Sequence, residues 1–217
     1  MDFEEIHLET RRRARIISSQ RLEAQAPQQP LCYVLHGYGQ LASEVLNGMS
    51  RVVDDRRLFI APEGLSRFYL DEHRRVGASW MTREDRLLEM EDQIDYLNRV
   101  HRHVIDEREV LPQTTTVLGF SQGVATATRW LARGEIEARR LVLWGASIPP
   151  EFLESGAPSA LRSVSIATVV GSRDHLFPEE ARENQSQWLE REGLDYEELS
   201  FEGGHRFDDD TLTRLFP

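Results

Sequence analysis

Two regimes of apolar patterning alternate along the chain: short unbroken apolar runs, and longer stretches in which apolar residues return every three or four positions. Residues 31–35 (Leu31-Cys32-Tyr33-Val34-Leu35), 58–61 and 141–144 belong to the first regime, 114–118 and 164–170 are β-branched and largely apolar, 196–201 is more polar, and all six read as strands. The run at 31–35 has no polar position, as expected of a parallel strand buried on both faces. Residues 4–9 and 13–18 alternate more weakly and are read as two early strands. The second regime predicts a helix over about 41–49 and a long one over 83–109, whose Leu87, Met90, Ile94, Leu97, Val100 and Val104 form a single stripe. A helix behind residue 121 and further helices over 179–192 and 208–215 complete the set. Residues 63–80, rich in Arg, Gly and aromatics, are read as irregular surface structure, and the Pro/Gln-rich 24–30 as a surface loop. This strand-helix alternation predicts an α/β fold, a mostly parallel central sheet with helices on both faces and its chemistry at the carboxyl ends of the strands.

The most informative junction is Gly119-Phe120-Ser121-Gln122-Gly123, between the predicted strand 114–118 and an apolar-periodic helix. Flanking glycines permit a sharp strand-to-helix turn that lifts the serine hydroxyl clear of the sheet, which makes Ser121 a candidate nucleophile. The blander reading is a glycine-bracketed turn capped by a serine. A serine hydroxyl is a weak nucleophile at neutral pH and needs a histidine base held by a carboxylate. Gly171-Ser172-Arg173-Asp174 follows the strand 164–170, and Gly203-Gly204-His205 follows the strand ending at Phe201. Asp174 alone suits a turn or helix cap and His205 alone a solvent-exposed loop, yet both arrive in the chain order that this turn requires. The oxyanion formed during acyl transfer needs two N–H donors, assigned to the backbones of Gln122 and of Tyr38, in the His36-Gly37-Tyr38-Gly39 loop after the third predicted strand.

Composition narrows the field further. At 217 residues, with no linker, repeat or low-complexity tract, one domain spanning 1–217 is expected. Lys and Arg total 26 against 37 Asp and Glu, and the resulting charge of −11 repels phosphate backbones, so a nucleic-acid partner is excluded as an expectation. The basic Arg11-Arg12-Arg13-Ala14-Arg15 cluster reads as a charged strand edge. Cys32 is the sole cysteine, which rules out an intrachain disulfide and fits a reducing compartment. With no apolar leader or membrane-length run, a soluble cytoplasmic protein without integral membrane association is expected, as a monomer or a homodimer.

The motifs Leu35-His36-Gly37-Tyr38-Gly39, Ala61-Pro62, Ser79-Trp80, Gly119-Phe120-Ser121-Gln122-Gly123, Gly171-Ser172-Arg173-Asp174 through Phe177-Pro178, and Gly203-Gly204-His205 resemble those of the phospholipase/carboxylesterase family of α/β-hydrolases. The resemblance spans most of the chain. It implies an α/β-hydrolase fold and hydrolysis of small-molecule carboxylic esters or thioesters by Ser121, Asp174 and His205, with no metal and no organic cofactor. It also implies that Trp80, together with Met81, borders the acyl pocket. Two departures are visible: Gln40 where the family has an acidic residue, and Met81-Thr82 where it has an aromatic-aspartate pair. The resemblance therefore carries the reaction further than the substrate. Esters of small to medium acyl chains are the first expectation, a long-chain thioesterase or lysophospholipase the second, and a non-catalytic ligand-binding protein of this fold the third.

Overall fold

The computed structural model describes residues 3–22, 28–107 and 112–217. Seven strands form one sheet in the order β1-β3-β2-β6-β7-β8-β9: β1 (Ile16–Ser18), β3 (Leu58–Pro62), β2 (Leu31–Leu35), β6 (Thr115–Phe120), β7 (Arg140–Trp144), β8 (Ser165–Gly171) and β9 (Tyr196–Phe201). Only β1 is antiparallel to its neighbour, and every other pairing is parallel. Alternate side chains of each strand enter opposite cores. Leu31, Tyr33 and Leu35 meet α2 (Arg86–Glu107), α3 (Gln122–Arg133) and α6 (Glu179–Arg191) on one face, whereas Cys32 and Val34 meet α1 (Ala42–Asn47) and α7 (Asp209–Leu215) on the other. The helices thus cover both faces, as the apolar runs require.

Three expectations need correction. Residues 4–9 form no strand: Ile6 and Leu8 stay 69% and 86% exposed, so the alternation covers no apolar face. The strand read over 13–18 shrinks to Ile16–Ser18. The segment read as irregular folds into a hairpin, β4 (Ser66–Leu70) with β5 (Arg75–Ser79), in which Ser66 pairs with Ser79. In addition, α4 (Pro150–Ser155) and α5 (Ser159–Arg162) form where no helix was read. Most of the loop expected over 24–30, and the last residues of the long helix read to 109, lie outside the described residues.

Glu63, directly after β3, ties this end of the molecule together. Its buried carboxylate accepts Arg15 Nε at 3.0 Å and Nη2 at 2.8 Å, Arg67 Nε at 2.6 Å and the Ala42 N–H at 3.1 Å. Arg15, read as part of an exposed strand edge, is instead this anchor. Burial pushes the Glu63 carboxyl up, but the hydrogen bonds from Arg15, Arg67 and Ala42 outweigh it and hold the group below its ordinary value. A folded value below the unfolded one stabilises the protein above the ordinary carboxylate range, and that contribution is lost as pH falls through the lowered value. Glu63→Gln is expected to cost about 2 kcal/mol at pH 7. Thermal melts of the two proteins should converge as the pH is taken below 4. A gap that stays constant from pH 7 to pH 3 would contradict this assignment.

Candidate active site

Each parallel strand ends on the same side of the sheet, and the residues singled out by sequence emerge there. β6 ends at Phe120 and α3 starts at Gln122, so Ser121 alone makes the turn, with φ 53° and ψ −118°. That is a sparsely populated conformation for a residue with a Cβ, and such strain persists only where the surroundings enforce it. They do so here through the Ser121 N–H on the Trp144 carbonyl at 2.8 Å and the Val124 N–H on the Ser121 carbonyl at 2.9 Å. The glycines are demanded by close approach: a Cβ on Gly119 would lie 2.4 Å from the Gly123 oxygen, and one on Gly123 would lie 2.1 Å from the Leu35 oxygen. The Ser121 side chain makes no cap hydrogen bond to α3, so the bland capping role is not realised.

Asp174, in the turn after β8, and His205, in the loop after β9, meet through Nδ1 and Oδ2 at 2.7 Å. An ionised carboxylate only accepts, so Nδ1 carries the proton and Nε2 the lone pair of the neutral ring. The other Asp174 oxygen accepts the Leu176 N–H at 3.0 Å, so the turn-forming role weighed for this residue is also present. Gly145, after β7 at φ +73°, leaves room for the pair, since a Cβ there would stand 2.9 Å from His205 Cε1 and 3.4 Å from Asp174 Oδ2. His205 Nε2 is buried and has no hydrogen-bond partner, so the Ser121 hydroxyl does not reach it in this conformation. A buried polar atom left unpaired costs about 1–3 kcal/mol.

The His36–Gly37 loop follows β2, the second strand of the sheet in chain order rather than the third, because the early strand did not form. It lies against the turn: a Cβ on Gly37 would sit 3.1 Å from both Ser121 Cβ and Phe120 Cδ1. His36 is fully buried, with Nδ1 on the Gly37 carbonyl at 2.8 Å and Nε2 accepting the Gly64 N–H at 2.9 Å. Both ring nitrogens are thereby committed in the neutral form, and burial lowers the pKa of the ring. Gln40, in place of the family's acidic residue, accepts the Gly37 N–H on Oε1 at 2.8 Å. The loop is therefore shaped without a carboxylate. Tyr38 is 62% exposed, with its ring 5.1 Å from that of Phe68 on the hairpin.

Trp80 is 3% exposed, stacked on His36 at 4.8 Å, and its indole N–H donates to the His36 carbonyl at 2.8 Å, so it supports the loop from beneath. Met81 is half-buried, its sulfur 3.4 Å from Arg129 Nη1. Sequence reasoning placed His36 and Gln40 in the oxyanion loop without foreseeing their hydrogen bonds, and it missed Gly145. A glycine directly after the strand ending at Trp144 was the available signal for the last. Cys32 is no rival nucleophile, because burial pushes its thiol up to about 12. A groove of about 730 Å³ between α6 and β9 is lined by Phe177, Arg182 and Gln185 among others, without a histidine to activate a nucleophile. Glu5, His7 and Asp85 are the group of metal-ligand type among the described residues, and all three are exposed, far from the buried donors a structural site needs.

No helix among the described residues is long and apolar enough to cross a membrane. No curated protein matches the chain. Among solved structures it is similar to esterase PE8, with 19% identity over 94% of this chain and 95% of that one and a TM-score of 0.66. It is also similar to the Bacillus cereus carboxylesterase, with 16% identity, 93% and 91% coverage and a TM-score of 0.69. SOBER1 of Arabidopsis thaliana gives 16% identity, 86% and 95% coverage and a TM-score of 0.67. At these identities the likeness establishes the α/β-hydrolase fold. The Phospholipase/Carboxylesterase family profile matches residues 18–216, and the chain belongs to that family of esterase-type hydrolases.

Proposed function

We propose that the protein is a serine esterase that cleaves carboxylic esters of small to medium acyl chains through an acyl-enzyme intermediate on Ser121. The observation that carries this reading is the buried, unpartnered Nε2 of a His205 whose Nδ1 is held by Asp174, beside a strained serine at a strand-to-helix turn. Turnover requires Ser121 Oγ to come within hydrogen-bond reach of Nε2, and the adjacent Phe120 ring already lies 4.9 Å from the His205 ring. As Oγ attacks the ester carbonyl, its proton passes to Nε2, and Asp174 stabilises the imidazolium. The N–H groups of Gln122, at the start of α3, and Tyr38 receive the oxyanion, each worth about 10² to 10³ in rate. The imidazolium then protonates the departing alcohol, and water, activated by the same His205, releases the acid. No metal or organic cofactor enters these steps.

Ser121→Ala is expected to lower kcat/KM for p-nitrophenyl acetate by at least about 10³ while circular dichroism and the melting temperature stay near those of the parent. Full turnover in this variant would sink the assignment. A second reading, a long-chain thioester or lysophospholipid substrate, is favoured by the apolar side chains of Tyr38 and Leu176, which are 62% and 73% exposed and adjoin the oxyanion loop and Asp174. A series of p-nitrophenyl esters and matched thioesters from two to sixteen carbons separates the two readings. A maximum at short chains supports the first, and a maximum at twelve or more the second.

A further inference from the structure

We propose that the Gln122 side chain is a positioning residue that holds the two halves of the oxyanion hole in register, acting through Trp80. The proposal rests on the assignment of Ser121 and of the Gln122 and Tyr38 N–H groups made above. Gln122 Oε1 accepts the Trp80 backbone N–H at 3.1 Å. Its Nε2 donates to Ser79 Oγ at 3.0 Å and to the Met81 carbonyl at 3.0 Å. A single amide thus grips three consecutive residues of the strap that leaves β5. Trp80 passes the constraint on, because its indole N–H holds the His36 carbonyl and its ring stacks on the His36 imidazole. His36 in turn is bonded to the Gly37 carbonyl, which shares one planar peptide group with the Tyr38 N–H.

One residue therefore serves both donors: its own N–H is the first, and its side chain, through Trp80 and His36, sets the position of the second. On its far side the Tyr38 loop is held by the Gly39 N–H on the Ala78 carbonyl at 2.9 Å and the Ala78 N–H on the Gln40 carbonyl at 3.2 Å, and Trp80 braces the side that faces Ser121. Transition-state stabilisation depends on donors placed 2.7–3.1 Å from the developing oxyanion, and a displacement near 1 Å costs as much as about 10². A side chain that merely packed the strap onto α3 would affect stability and leave the reaction coordinate alone.

The test uses variants at both ends of this chain of hydrogen bonds. Gln122→Ala keeps the backbone N–H and a strong helix former at the start of α3, Gln122→Met keeps the volume without the hydrogen bonds, and Trp80→Phe keeps a ring on His36 without the indole N–H. Each is expected to lower kcat for p-nitrophenyl acetate about 10- to 100-fold with KM changed less than about twofold. The inhibition constant of a trifluoromethyl ketone, which forms a tetrahedral oxyanion on the serine, should rise by the factor by which kcat/KM falls. Gln122→Ala combined with Trp80→Phe should be little worse than the poorer single variant, since both break one connection. Parent-like activity of Gln122→Met, effects that multiply in the double variant, or an unchanged inhibition constant would overturn the proposal. Failure of the Ser121 assignment is separately visible as persistent turnover in Ser121→Ala.

Discussion

Gly123→Ala is expected to abolish measurable esterase turnover and to destabilise the fold by about 3 kcal/mol, the largest combined effect of a single methyl group in this molecule. The new Cβ would sit 2.1 Å from the Leu35 oxygen, 2.7 Å from the Leu35 carbonyl carbon and 2.8 Å from the His36 oxygen. All three atoms are backbone at the end of β2, a central strand that cannot yield as a side chain can. α3 and the His36–Gly37 loop must move apart, and with them the N–H groups of Gln122 and Tyr38. Gly193→Ala is the control. It has positive φ of 63° with nothing within 4 Å of its Cβ position, so it should cost about 1 kcal/mol of backbone strain and leave kcat/KM unchanged. Urea melts and ester hydrolysis on the two variants check the contrast. Near-parental activity in Gly123→Ala would show that the turn tolerates a wider spacing than this geometry permits.

Asp174→Asn is expected to reduce kcat by about 10⁴ with the fold retained. The direction follows from where the two oxygens point. Oδ1 accepts the Leu176 N–H, and Oδ2 faces His205 Nδ1. In the variant, the amide oxygen keeps the Leu176 bond and the NH₂ group turns to His205, where it can only donate. Nδ1 must then accept, which moves the ring proton to Nε2 and removes the base that Ser121 requires. The side chain is 2% exposed, so water cannot substitute for the lost acceptor. A kcat within tenfold of the parent would reduce the Asp174–His205 contact to a structural hydrogen bond.

Much of this arrangement is legible in the chain because parallel strands buried on both faces write themselves as unbroken apolar runs. β2 and β9 coincide with the reading residue for residue, and β6, β7 and β8 are displaced by one or two positions at their ends. Candidate residues at the carboxyl ends of those strands could be placed for the same reason. The β4–β5 hairpin was illegible because Ser66–Leu70 buries none of its residues fully and draws its order from pairing with β5. The strand expected over residues 4–9 had the alternation, but its apolar Ile6 and Leu8 cover no core and stay exposed. Side-chain commitments were the least legible. Trp80 reads as a residue bordering an acyl pocket, and only the fold reveals that its indole is bonded to the His36 carbonyl. Gln122 reads as a backbone donor, and its amide's grip on residues 79–81 depends on a strap 41 to 43 residues away in sequence.

The central claim, that Ser121 is the residue acylated during turnover, is tested most directly by covalent labelling with an alkyl fluorophosphonate followed by peptide mapping. The reagent forms a phosphorus–oxygen bond to an activated serine with loss of fluoride. The account predicts one adduct per chain, on Ser121 in the tryptic peptide spanning residues 109–129, with loss of esterase activity in step with labelling and no adduct in Ser121→Ala. Loss of activity with the adduct on another residue, or full turnover by a protein carrying no label, would contradict it.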